Sequence, residues 1–203
     1  AYMKTHSGNR EELYLLLVLS TVGGLVTVCS THLASLFIGI EILSVPLYGL
    51  VAYSFQRQHA LEAGLKYLVL SAMSSAFLLF GMALLYAGTG RLDFAGIQVA
   101  LLAPESLSLL TLGGFGLLFV ALAFKLSLVP FHLWTPDVYE GAPAPVMAFL
   151  ATASKVAVCA ALLRLLQMLP VMAAVEMQSV FMALAGLSIL VGNVLALRQA
   201  NLK

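Results

Sequence analysis

Four ionisable side chains, Glu41, Lys66, Lys125 and Lys155, each interrupt a long apolar run. At the centre of a bilayer helix such a group costs about 2.5–3.5 kcal/mol, and those that persist there mark proton or ion pathways. Each has a plainer reading beside it. Lys66 stands only two turns into its run, where it can snorkel to the surface or pair with Glu62 at i−4. Glu41 can act as a fixed counter-ion to a lysine. Lys155 is too deep to snorkel easily. His132, whose type titrates near neutral pH, is either a relay member or a hydrogen-bonded packing residue beside Trp134.

The elements that hold these groups follow from composition. The 203 residues are 62% hydrophobic and 9% charged, with a mean hydropathy of +1.02. A soluble domain is about 45–50% apolar and about 25% charged, so this chain is an integral membrane protein. The runs lack the short alternating segments of a barrel, and the fold class is all-α, a polytopic helix bundle. Helices of about 20 residues cross a bilayer, which predicts six spans near 12–30, 33–54, 60–87, 107–128, 143–169 and 173–198 within a single membrane domain over 1–203. A tight turn at Ser30-Thr31-His32 joins the first two, and 88–106, with Arg91, Asp93 and Glu105, is expected to be an aqueous loop. Alternating spans put Lys4, Arg10, Arg57, Arg198 and Lys203 on one face and Arg91 and Arg164 on the other. The cation excess marks the first face as cytoplasmic. The chain opens Ala1-Tyr2-Met3 and stops at Leu202-Lys203, which suggests an internal piece of a longer protein. No secretory leader is expected, because Glu11 and Glu12 precede the first apolar run and no cleavage site follows.

One span should be broken. Pro130 cannot donate to Leu126, and residues 107–140 as a single helix would measure about 50 Å, too long for a bilayer. An unwound stretch with a second segment through Trp134 and Tyr139 solves both problems and leaves Lys125 just before the break, a break and turn near 126–142. Glu41, roughly 12 Å into its helix, and Lys155, roughly 18 Å beyond Pro143, come to similar depth. Broken helices with midplane charges recur in ion transporters. Pro46 repeats the pattern weakly after Glu41, while Asp137 and Glu140 are expected to be solvated loop charges. Gly113, Gly114 and Gly116 are expected to permit close helix packing.

Other chemistries lack their residues. Cys29 and Cys159 form no metal-ligand or disulfide pattern, and the sequence has neither a haem-type histidine pair nor a dinucleotide fingerprint. A net charge of +1 offers no field for nucleic acid.

The run Phe124-Lys-Leu-Ser-Leu-Val-Pro-Phe-His-Leu-Trp-Thr-Pro-Asp-Val-Tyr-Glu-Gly-Ala-Pro-Ala-Pro-Val146, followed by Ala151-Thr-Ala-Ser-Lys-Val156, resembles the subunit N family of bacterial NADH-quinone oxidoreductase, respiratory complex I. The segments His32–Ser44 and Leu61–Tyr67 fit the same family, so the resemblance covers nearly the whole chain. It implies an antiporter-like fold of two inverted five-helix repeats, of which this chain would carry one repeat plus one further helix. It implies that Glu41 pairs with Lys125 on the broken helix, that Lys155 is the central lysine of the path and that Lys66 joins or tunes it. Moving Glu41 relative to Lys125 would then switch Lys125 between holding and releasing a proton, which Lys155 receives. The implied activity is proton translocation coupled to quinone reduction, as a subunit of a translocase in the bacterial inner membrane. NADH, FMN, iron–sulfur clusters and quinone are implied to belong to partner subunits, with no cofactor in this chain. The lysine of the second repeat is not in this sequence. A stand-alone or Mrp-type cation/proton antiporter would share these helices and charges, and a membrane scaffold is the non-transport alternative.

Overall fold

In lipid every backbone N–H and C=O must find a partner within the protein, so a chain of this composition has little choice but to form helices. The computed structural model describes residues 10–54, 58–102, 108–167 and 171–199, without the side chains of Arg10 and of 171–178. Among the described residues the elements are α1 (Arg10–Cys29), α2 (Leu33–Val51), α3 (Gln58–Thr89), α4 (Phe94–Ala100), α5 (Leu109–Leu126), α6 (Trp134–Gly141), α7 (Ala144–Ala151), α8 (Ala153–Gln167) and α9 (Val171–Arg198). Six stretches are long and apolar enough to cross a membrane: α1 to α3, α5, α7 and α8 taken together as Ala144–Gln167, and the Ser179–Arg198 part of α9. Among the described residues their number is the six expected from sequence. Lys4, Arg57, Glu105 and Lys203 lie outside the described residues.

The connection expected to be an aqueous loop is more ordered than composition suggested. Asp93 caps the short helix α4 by accepting from the Gly96 N–H at 2.7 Å. The residues around it pair with the α1–α2 turn in an isolated bridge: Leu33 N–H donates to Leu92 O at 2.8 Å and Phe94 N–H to Thr31 O at 3.0 Å. Arg164, near the end of α8, reaches the same end of the bundle. It donates to the Val28 carbonyl at the close of α1 and lies over the Phe94 ring. A cation on the last carbonyls of a helix complements its dipole. Arg91 and Arg164 therefore share one end, as alternating spans require.

α3 and α5 pack backbone to backbone. A Cβ on Gly114 would lie 2.9 Å from the Gly81 carbonyl oxygen, and one on Gly81 would lie 2.8 Å from the Gly114 oxygen. Of the three glycines expected to serve close packing, only Gly114 is needed for it; Gly116 faces open space and Gly113 only an ordinary contact with Leu84. α2 runs through Pro46 without ending. The expected continuous span over 143–169 is interrupted at Thr152 (φ −116°, ψ −80°), whose hydroxyl bonds back to the Ala148 carbonyl at 2.7 Å.

Candidate functional site

α5 ends where its length fits the membrane, and Ser127 is the residue that ends it. At φ 60° Ser127 is left-handed, its N–H bonds to Phe124 O at 3.0 Å, and Leu128 N–H bonds to Ala123 O at 2.9 Å. This pair of bonds is the Schellman closure of a helix. The expectation that Pro130 itself breaks the helix is thus corrected: the chain has left the helix three residues earlier, and Pro130 lies in the turn before α6. The consequence for Leu126 is the important one. Its carbonyl has no helical partner and accepts from Lys155 Nζ at 2.8 Å, while Ser127 Oγ receives the same ammonium at 2.7 Å. Lys155 also lies 5.9 Å from the Trp134 ring centroid. Lys155 is therefore seated on the negative end of the α5 dipole, against the freed carbonyl.

Lys125 occupies the last turn of the same helix and is 8% exposed. Its Nζ donates to Ser44 Oγ on α2 at 2.7 Å and to Ser71 Oγ on α3 at 2.5 Å. Tyr48 O–H donates to Ser71 Oγ at 2.8 Å. Glu41, half-buried on α2, accepts from Ser75 Oγ, one turn along α3 from Ser71. Glu41 and Lys125 form no ion pair with each other. The direct pair implied by resemblance is replaced by two serines on one face of α3, with the carboxylate on one and the ammonium on the other.

Trp134 packs beside Lys155 at the break. It is buried, stacks on Phe124 (5.5 Å) and Tyr67 (5.1 Å), and donates Nε1–H to Phe124 O at 3.2 Å.

Lys66 is separate from this cluster. It bonds Asp137 at 2.6 Å and Glu62 at 2.8 Å with 43% of its side chain exposed. Asp137 is exposed, as expected of a solvated charge, but it sits on α6 and its pair with Lys66 also links α6 to α3. His132 lies on the far side of the break and lines a cavity of about 370 Å³, together with Ser127, Thr135, Tyr139, Glu140 and Gln199. Its Nδ1 is buried with no partner among the described residues, so the hydrogen-bonded packing reading does not hold for that atom. Burial pushes the Tyr139 phenol up to about 12, which keeps it a neutral hydroxyl beside the cavity. Thr135 Oγ1 donates to Ser127 Oγ at 2.8 Å, which links the cavity wall to the Lys155 site.

Ser44, Tyr48, Ser71, Ser75 and Ser127 had not been singled out from the sequence. The available signal was spacing. Positions 41, 44 and 48, and likewise 71 and 75, fall on single helix faces, so the polar groups within these two spans are aligned.

The NADH:quinone oxidoreductase/Mrp antiporter transmembrane family model matches residues 30–203. NADH-quinone oxidoreductase subunit N of Ectopseudomonas mendocina (strain ymp) is 60% identical over 200 residues, 98% of this chain and 40% of that protein. The same subunit of Chromohalobacter salexigens is 58% identical over all of this chain and 42% of its own length. Among solved structures, respiratory complex I from Thermus thermophilus with bound aureothin contains a chain that superposes with a TM-score of 0.80 at 40% identity, covering 98% of this chain and 42% of that one. The Mrp complex from Dietzia sp. DQ12-45-1b is more distant, with a TM-score of 0.64 at 25% identity over 74% of this chain and 28% of that one. The chain thus spans about two fifths of the length of the curated relatives it matches. With the fold and the family model in agreement over nearly its whole length, this chain belongs to the NADH:quinone oxidoreductase/Mrp antiporter transmembrane family.

Proposed function

We propose that the chain carries part of the proton path of an NADH-quinone oxidoreductase membrane subunit, moving protons across a bacterial inner membrane as other subunits reduce quinone. The observation that carries this reading is the seating of two lysines on either side of a membrane helix break. Lys125 is buried and held by hydroxyls rather than by a carboxylate, and Lys155 is seated on the open carbonyl end of the same helix. Hydroxyls serve both protonation states of an amine, since they accept from an ammonium and donate to a neutral amine. Glu41 biases Lys125 through space, Lys155 takes the proton across the break through water, and His132 feeds or drains the path from the cavity. Lys66, with its two carboxylates, tunes the path from the surface. This chain performs no redox step: NADH, FMN, iron–sulfur clusters and quinone reside in partner subunits, and the translocase activity is that of the whole complex. The identity with subunit N chains favours this reading.

The likeness to the Mrp complex supports a second reading, a cation/proton antiporter subunit. Co-purification separates the two, since the first requires peripheral redox subunits and the second a redox-free complex. The function itself is tested in proteoliposomes containing the whole complex with the full-length subunit. Lys125→Ala and Lys125→Arg should both abolish pumping, because arginine does not release its proton. Parental pumping by Lys125→Arg would rule out proton cycling at this position and leave the charges as a scaffold.

A further inference from the structure

Of the partners that Lys155 finds among the described residues, one can pass a proton on. The Leu126 carbonyl accepts at 2.8 Å but has no proton to give in exchange. The Trp134 ring, with its centroid 5.9 Å from Nζ, offers a π-face. The third partner, Ser127 Oγ at 2.7 Å, is a hydroxyl, and it also accepts from Thr135 Oγ1 at 2.8 Å. A hydroxyl has two acceptor sites and one proton, so both sites are filled and the proton is left over. Among the described residues no acceptor meets that proton. Ser127 lines the cavity of about 370 Å³ beside His132, Thr135 and Tyr139, a space that holds several water molecules at roughly 30 Å³ each. The backbone points the same way. Ser127 is left-handed at φ 60°, which costs a residue with a Cβ about 1–2 kcal/mol. Glycine would close α5 without that cost; what serine adds is the hydroxyl.

We infer that Ser127 is the relay through which Lys155 exchanges its proton with the cavity, and that Thr135 is a positioning residue that aims it. In release, an N–H bond of the ammonium breaks and its electron pair stays on Nζ. The proton forms a new O–H bond on Ser127, while the former Ser127 O–H bond breaks and its proton passes to water in the cavity. The lysine ends neutral, the serine still carries one proton, and the positive charge has moved from Nζ to a hydrated proton. Loading runs through the same bonds in reverse. Thr135, by donating to Ser127 Oγ, keeps the serine proton from turning towards its own oxygen and leaves it directed at the cavity. This inference rests on the proton-path reading and names the residue that carries the proton between the lysine and the cavity.

The test uses the full complex in proteoliposomes, with pumping measured beside quinone reduction and hydrogen exchange over 123–133 read on the same preparations. Ser127→Gly keeps the left-handed closure and removes the hydroxyl. Ser127→Asn also suits this conformation, and its amide oxygen still accepts from Lys155, but an amide does not pass the proton on. Both should lose pumping to the level of Lys155→Met, with 123–133 exchanging at the parental rate. Thr135→Val keeps the shape without the hydroxyl and should lower pumping severalfold, and Thr135→Ser should restore it. Parental pumping by Ser127→Asn would reduce the hydroxyl to a seat for the lysine, and parental pumping by Ser127→Gly would mean that Lys155 reaches water directly. Either result overturns the relay. Loss of pumping accompanied by faster exchange in both Ser127 variants would overturn it too, leaving the serine a structural part of the break. Parental pumping by Lys155→Met would instead remove Lys155 from the path, a failure of the proposed function and not of the relay.

Discussion

The two lysines at the helix break are held differently, one buried and one partly exposed, and their isosteric replacements should separate them. In Lys125→Met the stem is replaced at similar volume, and the two hydroxyls left behind keep partners: Ser44 still donates to Ile40 O and Ser71 still accepts from Tyr48. Nothing is orphaned, and a group that costs about 2.5–3.5 kcal/mol on insertion scales is removed. Folding should be unharmed. In Lys155→Met the Leu126 carbonyl loses the ammonium that occupies it at the helix break. An acceptor stranded in this way costs about 1–3 kcal/mol, or roughly five- to 160-fold in the equilibrium for local opening. The amides of Ser127, Leu128, Val129 and Phe131 report on that opening, since each is bonded within the break or to Ser188. Hydrogen exchange measured by mass spectrometry on the intact complex should show peptides over 123–133 exchanging faster in Lys155→Met and at the parental rate in Lys125→Met. Pumping should be lost in both. Equal acceleration in the two variants would mean that the break depends on buried charge in general, and would refute the seating argued for Lys155.

Cysteines placed at positions 62 and 91 should label from opposite sides of the membrane; labelling of both from one side would reverse the assignment of loops to faces. Pro130→Ala should leave pumping within about twofold, because Ser127 and not Pro130 closes α5 and the Leu126 carbonyl is already taken. Gly114→Ala should lower the melting temperature of the complex by forcing α3 and α5 apart, at a cost of about 1–3 kcal/mol, whereas Gly116→Ala, which faces open space, should not. Glu41→Gln should impair pumping most at high pH, since loss of the carboxylate disfavours the ammonium at Lys125 and proton scarcity adds to the effect; a uniform loss across the pH series would count against electrostatic coupling.

Much of this arrangement was legible because bilayer physics is restrictive. The spans follow from apolar length, and the break follows from a run too long to cross once. The details that escaped were those for which sequence offers competing explanations. A proline three residues past the break drew attention that belonged to Ser127, since left-handed helix ends usually carry glycine or asparagine. Serines within apolar helices routinely bond to their own i−4 carbonyl, as Ser188 does with Leu184 and Ser44 with Ile40. A serine that receives an ammonium therefore looks no different in sequence from one that does not. The pairing of Asp137, itself exposed as expected, escaped for another reason: its partner Lys66 is 71 positions away, and only the packing of α6 on α3 unites them. What does distinguish the functional hydroxyls is register. Glu41, Ser44 and Tyr48 share a face of α2, Ser71 and Ser75 share a face of α3, and Lys125 is received where those faces meet. A lone hydroxyl in a span can satisfy itself locally, but an aligned set on two helices needs a common polar guest. The aligned hydroxyls, more than the lysine alone, mark where a buried charge can change its protonation state without stranding a polar group.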